Sequence, residues 1–419
     1  MEGVKIHEFY HNINGSQVTG TSPFEIWLNE AVTVHVQRER EYDIFGHDFM
    51  RLGHVIYGRM PATGALALDR APSSMAVEPE GFNTTHELVS AMTYSKAPEY
   101  VKMTEILIGK ENFVKALFNY HTKYAFSNAT SGEWVDEMAV YEPEGVDLRK
   151  MAHGWLKRTG YPIVTVTEQN FNEGAMKVTL TQTGFEEKKD DNSPWIIPIV
   201  YSAVKDGKSV ASGVWVLQTP QETFNIAGLS ESPDFISVGC DWSFYGEVID
   251  KASTTEQRFI QAKSDPDTIN RYLAFQAILD DEKFNLVSAY RDGDKDGLVS
   301  VSEGVVDLYG SVLNDDHLSD ATKARFLGIG SSCPSRPEVS HYYWALSYAQ
   351  KSILKAVGKK YIKELLNVWD ETAKNSSINN RNLKFAVFSA IRASGEVDSE
   401  KLKGMVRPLL EADNMSDRG

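Results

Sequence analysis

Two histidines four residues apart, with a glutamate beside the first, constrain this chain more than any other feature. His7-Glu8-Phe9-Tyr10-His11 fits the pattern H-E-x-x-H. On an α-helix, positions i and i+4 share a face, so both imidazoles can reach one tetrahedral zinc ion. Glu8 lies about 100° around that helix from His7. There it stands beside a metal rather than on it, placed to take a proton from a zinc-bound water. The same five residues also fit an exposed helix with two unrelated histidines. A third ligand separates the two readings. After His11 come eighteen intervening residues and then Glu30, in Trp27-Leu28-Asn29-Glu30. Two histidines and one glutamate leave a fourth zinc position open for water, as catalysis requires. Glu30 falls on a predicted helix, Glu25 to Arg40, whose neighbours Phe24, Trp27, Leu28, Ala31 and Val32 are expected to pack it against the first helix.

The hydrophobic period changes twice along the 419 residues, a length that suggests two to four domains. Residues 1–160 read as helices joined by loops, with Ala97 to Tyr124 as one long helical stretch. After Gly160-Tyr161-Pro162 the runs become short and β-branched: Ile163 to Val166, Lys177 to Leu180, Ile196 to Val200 and Gly213 to Val216. Residues 161–250 therefore read as a β-sandwich. Helical spacing returns from Thr254, in Ile269 to Leu279, Tyr343 to Val357 and Arg381 to Arg392, which makes 251–419 an α-helical domain. The fold class expected is multidomain α+β.

Composition excludes some functions. A formal net charge of -15 gives no electrostatic footprint for a phosphate backbone, so no nucleic-acid partner is expected. No apolar run approaches the roughly 18 residues a membrane span needs. Cys240 and Cys333 form no C-x-x-C pair, so a disulfide framework or thiolate metal site is not expected. The lone cysteines fit a reducing compartment such as the cytoplasm.

The stretch HEFYHNINGSQVTGTSPFEIWLNEAVTV resembles the gluzincin zinc aminopeptidases, in the branch of bacterial-type alanyl aminopeptidase N. Gly15-Ser16-Gln17-Val18-Thr19 occupies the place of that family's G-N-R-V-T loop. Thr93-Tyr94-Ser95-Lys96-Ala97-Pro98-Glu99 is similar to its Y-x-K-G-A-E segment. Trp155 to Pro162 is similar to its junction between catalytic and β-sandwich domains. The resemblance implies the helical lobe of a thermolysin-like catalytic domain, then a β-sandwich, then an α-helical domain. It implies zinc held by His7, His11 and Glu30, with Glu8 as general base and Tyr94 as donor to the oxyanion. The substrates implied are peptides, which lose their N-terminal amino acids. Ala31 and Ala97 stand where the family has glycine, each adding one methyl. The family's G-x-M-E-N strand, which binds the substrate amine, belongs upstream of the zinc helix, and the chain starts six residues before His7. An internal piece of a longer enzyme is therefore expected, its missing lobe supplied by a separate chain or lost. In the latter case the chain is a catalytically incomplete zinc-binding fragment with an interaction or structural role.

A second motif lies downstream. Asp292, Asp294, Asp296, Gly297, Leu298, Ser300 and Glu303 match the twelve-residue calcium loop of an EF-hand. The same residues also fit a polar interhelical loop with Ser300 and Glu303 forming a capping box. Asp280-Asp281-Glu282 reads as a solvated turn, and His35 as either a structural histidine or a partner of the zinc site.

Overall fold

A computed structural model describes residues 2–184, 192–293, 300–373 and 378–411. It divides into two compact units, residues 1–257 with 265–270, and residues 258–264 with 271–419.

The first unit opens with helix α1 (Glu2–Tyr10), strand β1 (Val18–Gly20), and helices α2 (Ile26–Phe45), α3 (His47–Gly58) and α4 (Ala65–Asp69). One π-turn, Met92–Lys96, runs directly into α5 (Ala97–Ile108). Helix α6 (Lys110–Lys123), strand β2 (Ser127–Ala129), α7 (Ser131–Ala139) and α8 (Leu148–Lys157) follow. The long helix expected over Ala97 to Tyr124 is two helices. It breaks at Gly109, whose φ of +82° suits glycine and ends α5 with a bond from Gly109 N to Glu105 O. Glu30 sits in the second turn of α2, which is launched by a capping box between Ser22 and Glu25. Trp27 is fully buried in T-shaped contact with Tyr100 and Trp134, and its Nε1 donates to Glu78 at 2.6 Å. Trp27, on the apolar side of α2, thus packs on α5 and α7, while α1 meets α2 through the polar residues Glu30 and Gln37. Phe24 lies before the helix, against Phe82.

The β block has two sheets, formed by β3 (Ile163–Asn172), β4 (Ala175–Thr183), β5 (Ile197–Lys205), β6 (Lys208–Leu217), β7 (Gln221–Ala227), β8 (Phe235–Val238) and β9 (Glu247–Asp250). Their orders are β7-β4-β3-β9 and β6-β5-β8, antiparallel except for the pair β3 and β9. The ring of Trp215 on β6 stacks between Tyr201 on β5 and Phe224 on β7, so one aromatic ladder joins the sheets.

Two buried charge clusters tie the helices to the β block. Lys96, at the end of the π-turn, pairs with Asp69 at 3.0 Å, both side chains wholly out of solvent. It also donates to the carbonyls of Arg158 and Gly160, each at 2.8 Å, while Asp69 accepts the amide of Gly160 at 2.8 Å. In the second cluster Arg51 makes a two-pronged bond with Glu99 at 2.8 Å, which also accepts from Arg38 at 2.7 Å. Arg51 and Lys102 hold the backbone carbonyl of Asp241. Asp241 and Trp242 have φ of +54° and +47°, backbone strain that those cations and the Asp267 carboxylate, accepting from Asp241 N at 2.8 Å, hold in place.

The second unit is helical. It contains most of α9 (Thr255–Ser264) and α10 (Thr268–Arg291), then α11 (Glu303–Leu313), α12 (Asp320–Leu327), α13 (Tyr343–Lys360), α14 (Ile362–Ala373), α15 (Ile378–Ser394) and α16 (Ser399–Leu410). Helix α15 packs on α12, α13 and α14. Asp280, Asp281 and Glu282 are not a solvated turn but lie within α10. Asp280 is buried against Lys283 and Ser335, Asp281 pairs with Arg336 at 2.6 Å, and Glu282 accepts the amide of Ser302. No helix among the described residues is long and apolar enough to cross a membrane.

Removing one member of a buried ion pair strands the other without water. Lys96→Met should therefore destabilise the first unit by about 3–5 kcal/mol, read from the urea midpoint by tryptophan fluorescence. A second expectation concerns His47. Hydrogen bonds to Asp241 and then Asp48 raise its pKa from 6.5 to about 9. A raised folded-state pKa stabilises fully below the unfolded value and ceases to do so as pH rises through the folded one. Stability should therefore fall between pH 6.5 and 9, and His47→Gln should flatten that slope in denaturant titrations across the window.

Candidate metal centre

The three predicted ligands come from two helices. His7 lies in the last turn of α1, and His11 lies just past it, where His11 N still bonds to His7 O at 3.2 Å. The chain then turns sharply. Gly15 has φ of +116°, and a Cβ there would meet His11 Nδ1 at 3.0 Å, so glycine both makes the turn and clears the imidazole. Helix α1 has no fully buried residue. Polar groups fix it on α2. Asn14, buried after the turn, donates from Nδ2 to Leu28 O at 2.8 Å, Asn29 O at 2.9 Å and Thr33 Oγ1 at 3.1 Å. Its side-chain oxygen faces His121 Nε2 at 3.2 Å, and burial lowers the His121 pKa to about 4, so that ring is neutral.

The same residue orients His11, because Asn14 O faces His11 Nδ1 at 2.9 Å. A carbonyl can only accept, so Nδ1 carries the proton and Nε2 presents a lone pair. His7 repeats this logic: its Nδ1 faces Gln37 Oε1 at 3.1 Å, leaving Nε2 bare. The two Nε2 atoms lie 3.0 Å apart, and Glu30 Oε2 is 3.2 Å from one and 3.5 Å from the other. Three electron-rich atoms therefore crowd one point, which one proton cannot satisfy and a divalent cation can. Tetrahedral zinc with bonds of about 2.0–2.1 Å spaces its ligands about 3.3 Å apart. The residues present fit that ion. Among the described residues this is the one group of three or more such donors close enough to share a metal.

Without a metal between them, the carboxylate of Glu30 draws a proton to His7, and that hydrogen bond raises the His7 pKa against the pull of burial. Burial acts to raise Glu30, but the hydrogen bonds of His7 and Tyr94 and the charges of the two histidines outweigh it and lower its pKa. Tyr94 projects from the π-turn, a device often found where a helix carries function. Its neighbours on both sides are anchored: Thr93 Oγ1 bonds Leu88 O at 2.6 Å, and Lys96 is buried. The Tyr94 ring centre is 6.4 Å from that of His7, on the side of the Glu30 carboxylate. Burial and the Glu30 charge push its pKa to about 12, so it stays a proton donor at neutral pH. Glu8 is exposed on α1 beside His7, and no described carboxylate or cation pairs with it.

Against known proteins, residues 1–155 match the peptidase family M1 domain, and residues 255–419 match a domain of unknown function described as ARM repeats. Aminopeptidase N of Escherichia coli is 24% identical across the whole of this chain. Residues 1–155 thus carry a peptidase family M1 domain. Alanine/arginine aminopeptidase of Saccharomyces cerevisiae is 29% identical over 57% of this chain and 26% of its own length. The crystal structure of Legionella pneumophila aminopeptidase A in complex with aspartic acid superposes on 99% of the chain with a TM-score of 0.81 at 18% identity, so the fold is shared. The chain spans about half the length of the two proteins it matches throughout, 48% of the Escherichia coli protein and 47% of the Legionella one.

Other predicted residues lie elsewhere. His35 is buried with its Nε2 on Glu105 Oε2 at 2.6 Å and its ring against Phe113, a structural role. Within the calcium-type loop, Asp294, Asp296, Gly297 and Leu298 fall outside the described residues. The capping box between Ser300 and Glu303 does not form, because Glu303 opens α11 and Ser302 is the residue before it, with no side-chain cap bond. Asn14 and Gln37 escaped the sequence reading. Both act through chain-distant partners, and only the asparagine directly after a motif-and-turn, His11-Asn12-Ile13-Asn14, hinted at a cap.

Asn14→Ala would remove the bonds that its amide makes to Leu28 O, Asn29 O and Thr33 Oγ1 on α2, and would take the acceptor from His121 Nε2. Loss of about 1–3 kcal/mol is expected, measured by chemical unfolding. The separation of α1 from α2 should also show as weaker zinc uptake, measured by equilibrium dialysis.

Proposed function

We propose that this chain carries the zinc-binding, proton-transferring half of an aminopeptidase centre that removes N-terminal amino acids from peptides. The observation behind this reading is the triangle of lone pairs at His7, His11 and Glu30, with Glu8 and Tyr94 beside it. Zinc held there would act as a Lewis acid and make water acidic enough to be deprotonated near neutral pH. Glu8 takes that proton on its exposed carboxylate and passes it to the departing amine. Tyr94, protonated and held by its π-turn, turns its hydroxyl from Glu30 to the oxygen that gains negative charge as the carbonyl is attacked. Residues 1–160, 161–250 and 251–419 are proposed as the catalytic, β-sandwich and helical domains, which accords with sequence matches ending at 155 and resuming at 255.

A second reading is a zinc-binding subunit that works only in assembly with another chain. It is favoured by the exposure of apolar side chains on α1, where Phe9 is 77% and Val4 62% exposed.

Turnover of an alanyl reporter peptide by the purified chain with one equivalent of zinc tests both. An aminopeptidase loses activity in Glu8→Gln and on a substrate with an acetylated α-amine, and Tyr94→Phe lowers kcat about 10²- to 10³-fold. Zinc bound without turnover in the wild-type chain would leave the assembly reading.

A further inference from the structure

Neither metal-facing imidazole is backed by a carboxylate. His11 Nδ1 faces a backbone carbonyl, and His7 Nδ1 faces the amide oxygen of Gln37 at 3.1 Å. The negative charge stands one residue further back. Gln37 Nε2 donates to Glu41 Oε1 at 3.2 Å, and Glu41 is buried. That bond also fixes which end of the Gln37 amide faces the histidine. Glu30, Gln37 and Glu41 are seven and then four residues apart. At 100° per residue they fall within about 20° of one line along α2, so a single helical stripe supplies a metal-type ligand, an orienting amide and a carboxylate. Helix α1 leaves room for the stripe: a Cβ on Gly3 would collide with Glu41 Oε1 and lie 3.0 Å from Gln37 Nε2.

We propose that Gln37, relayed by Glu41, is a positioning residue for His7 that fixes its tautomer and ring orientation without adding charge to the metal centre. The inference rests on the reading of His7, His11 and Glu30 as zinc ligands. A carboxylate in place of Gln37 would draw the Nδ1 proton towards itself and make His7 a stronger donor. It would also cancel the positive charge that zinc and Glu30 leave between them. The amide holds the ring equally well and keeps that charge, which favours an acidic water. Glu41 enforces the choice, since a glutamate at 37 would set two carboxylates within hydrogen-bonding distance of each other.

Zinc affinity of the full chain, measured by competition with a chromophoric chelator, tests this without reference to turnover. Gln37→Leu should weaken binding about 10- to 100-fold. The paired exchange Gln37→Glu with Glu41→Gln restores an acceptor behind His7 and preserves net charge. It should bind zinc at least as tightly as the wild type, a rescue that packing alone would not give. Affinity in Gln37→Leu within twofold of wild type, or failure of the paired exchange to rescue, overturns the positioning role. Wild-type zinc binding that is indifferent to His7→Ala overturns instead the ligand assignment beneath it.

Discussion

Asn14 sets the register on which the centre depends. Its backbone oxygen turns His11, and its side chain grips the two carbonyls just before Glu30 in the chain. One small amide thus aligns a helix without a buried residue with a helix anchored in the core. A hydrophobic contact would give α1 adhesion but little orientation. Directional bonds to fixed carbonyls give the ångström-scale placement that three converging lone pairs demand. The stability comes from elsewhere, from the tryptophan cluster under α2 and the buried ion pairs of Lys96 and Arg51.

The grouping of His7, His11 and Glu30 was legible because helix geometry is local. Two residues four apart on a helix face one way whatever surrounds them, and a glutamate after eighteen intervening residues returns to the same point. The blocks of helix and strand were legible from period alone. What packs on what was not. Trp27, Leu28, Ala31 and Val32 announce an apolar face, but nothing in their spacing says that α5 and α7 cover it and that α1 rests on the polar side. Gln37 looks like any helix-surface glutamine, and Asp280 like any acidic residue beside two others. Their partners lie 30 and 55 residues away in the chain. Gly109 was visible, and only the strength of the flanking apolar periods hid it. Tyr94 stood out by resemblance alone, since a π-turn has no residue signature of its own.

The two charge clusters share a design. Each uses a cation from the π-turn or the adjoining helices to hold backbone carbonyls of the β block: Lys96 those of Arg158 and Gly160, and Arg51 with Lys102 that of Asp241. Carbonyls held by buried cations cannot rotate freely, so the junction at 158–160 and the strained turn at 241–242 are rigid relative to α5. The position of Tyr94 therefore follows from contacts made well outside the centre.

The π-turn that aims Tyr94 holds one residue more than a regular helical turn would. Excising a single residue from 92–96 would relax it into ordinary helix, improve the local backbone geometry, and swing the phenol about 100° away from Glu30. The segment is thus held by its surroundings against its own preference. A one-codon deletion there would cost the chain the aim of its phenol and, where it displaced Lys96, the buried pair with Asp69 as well.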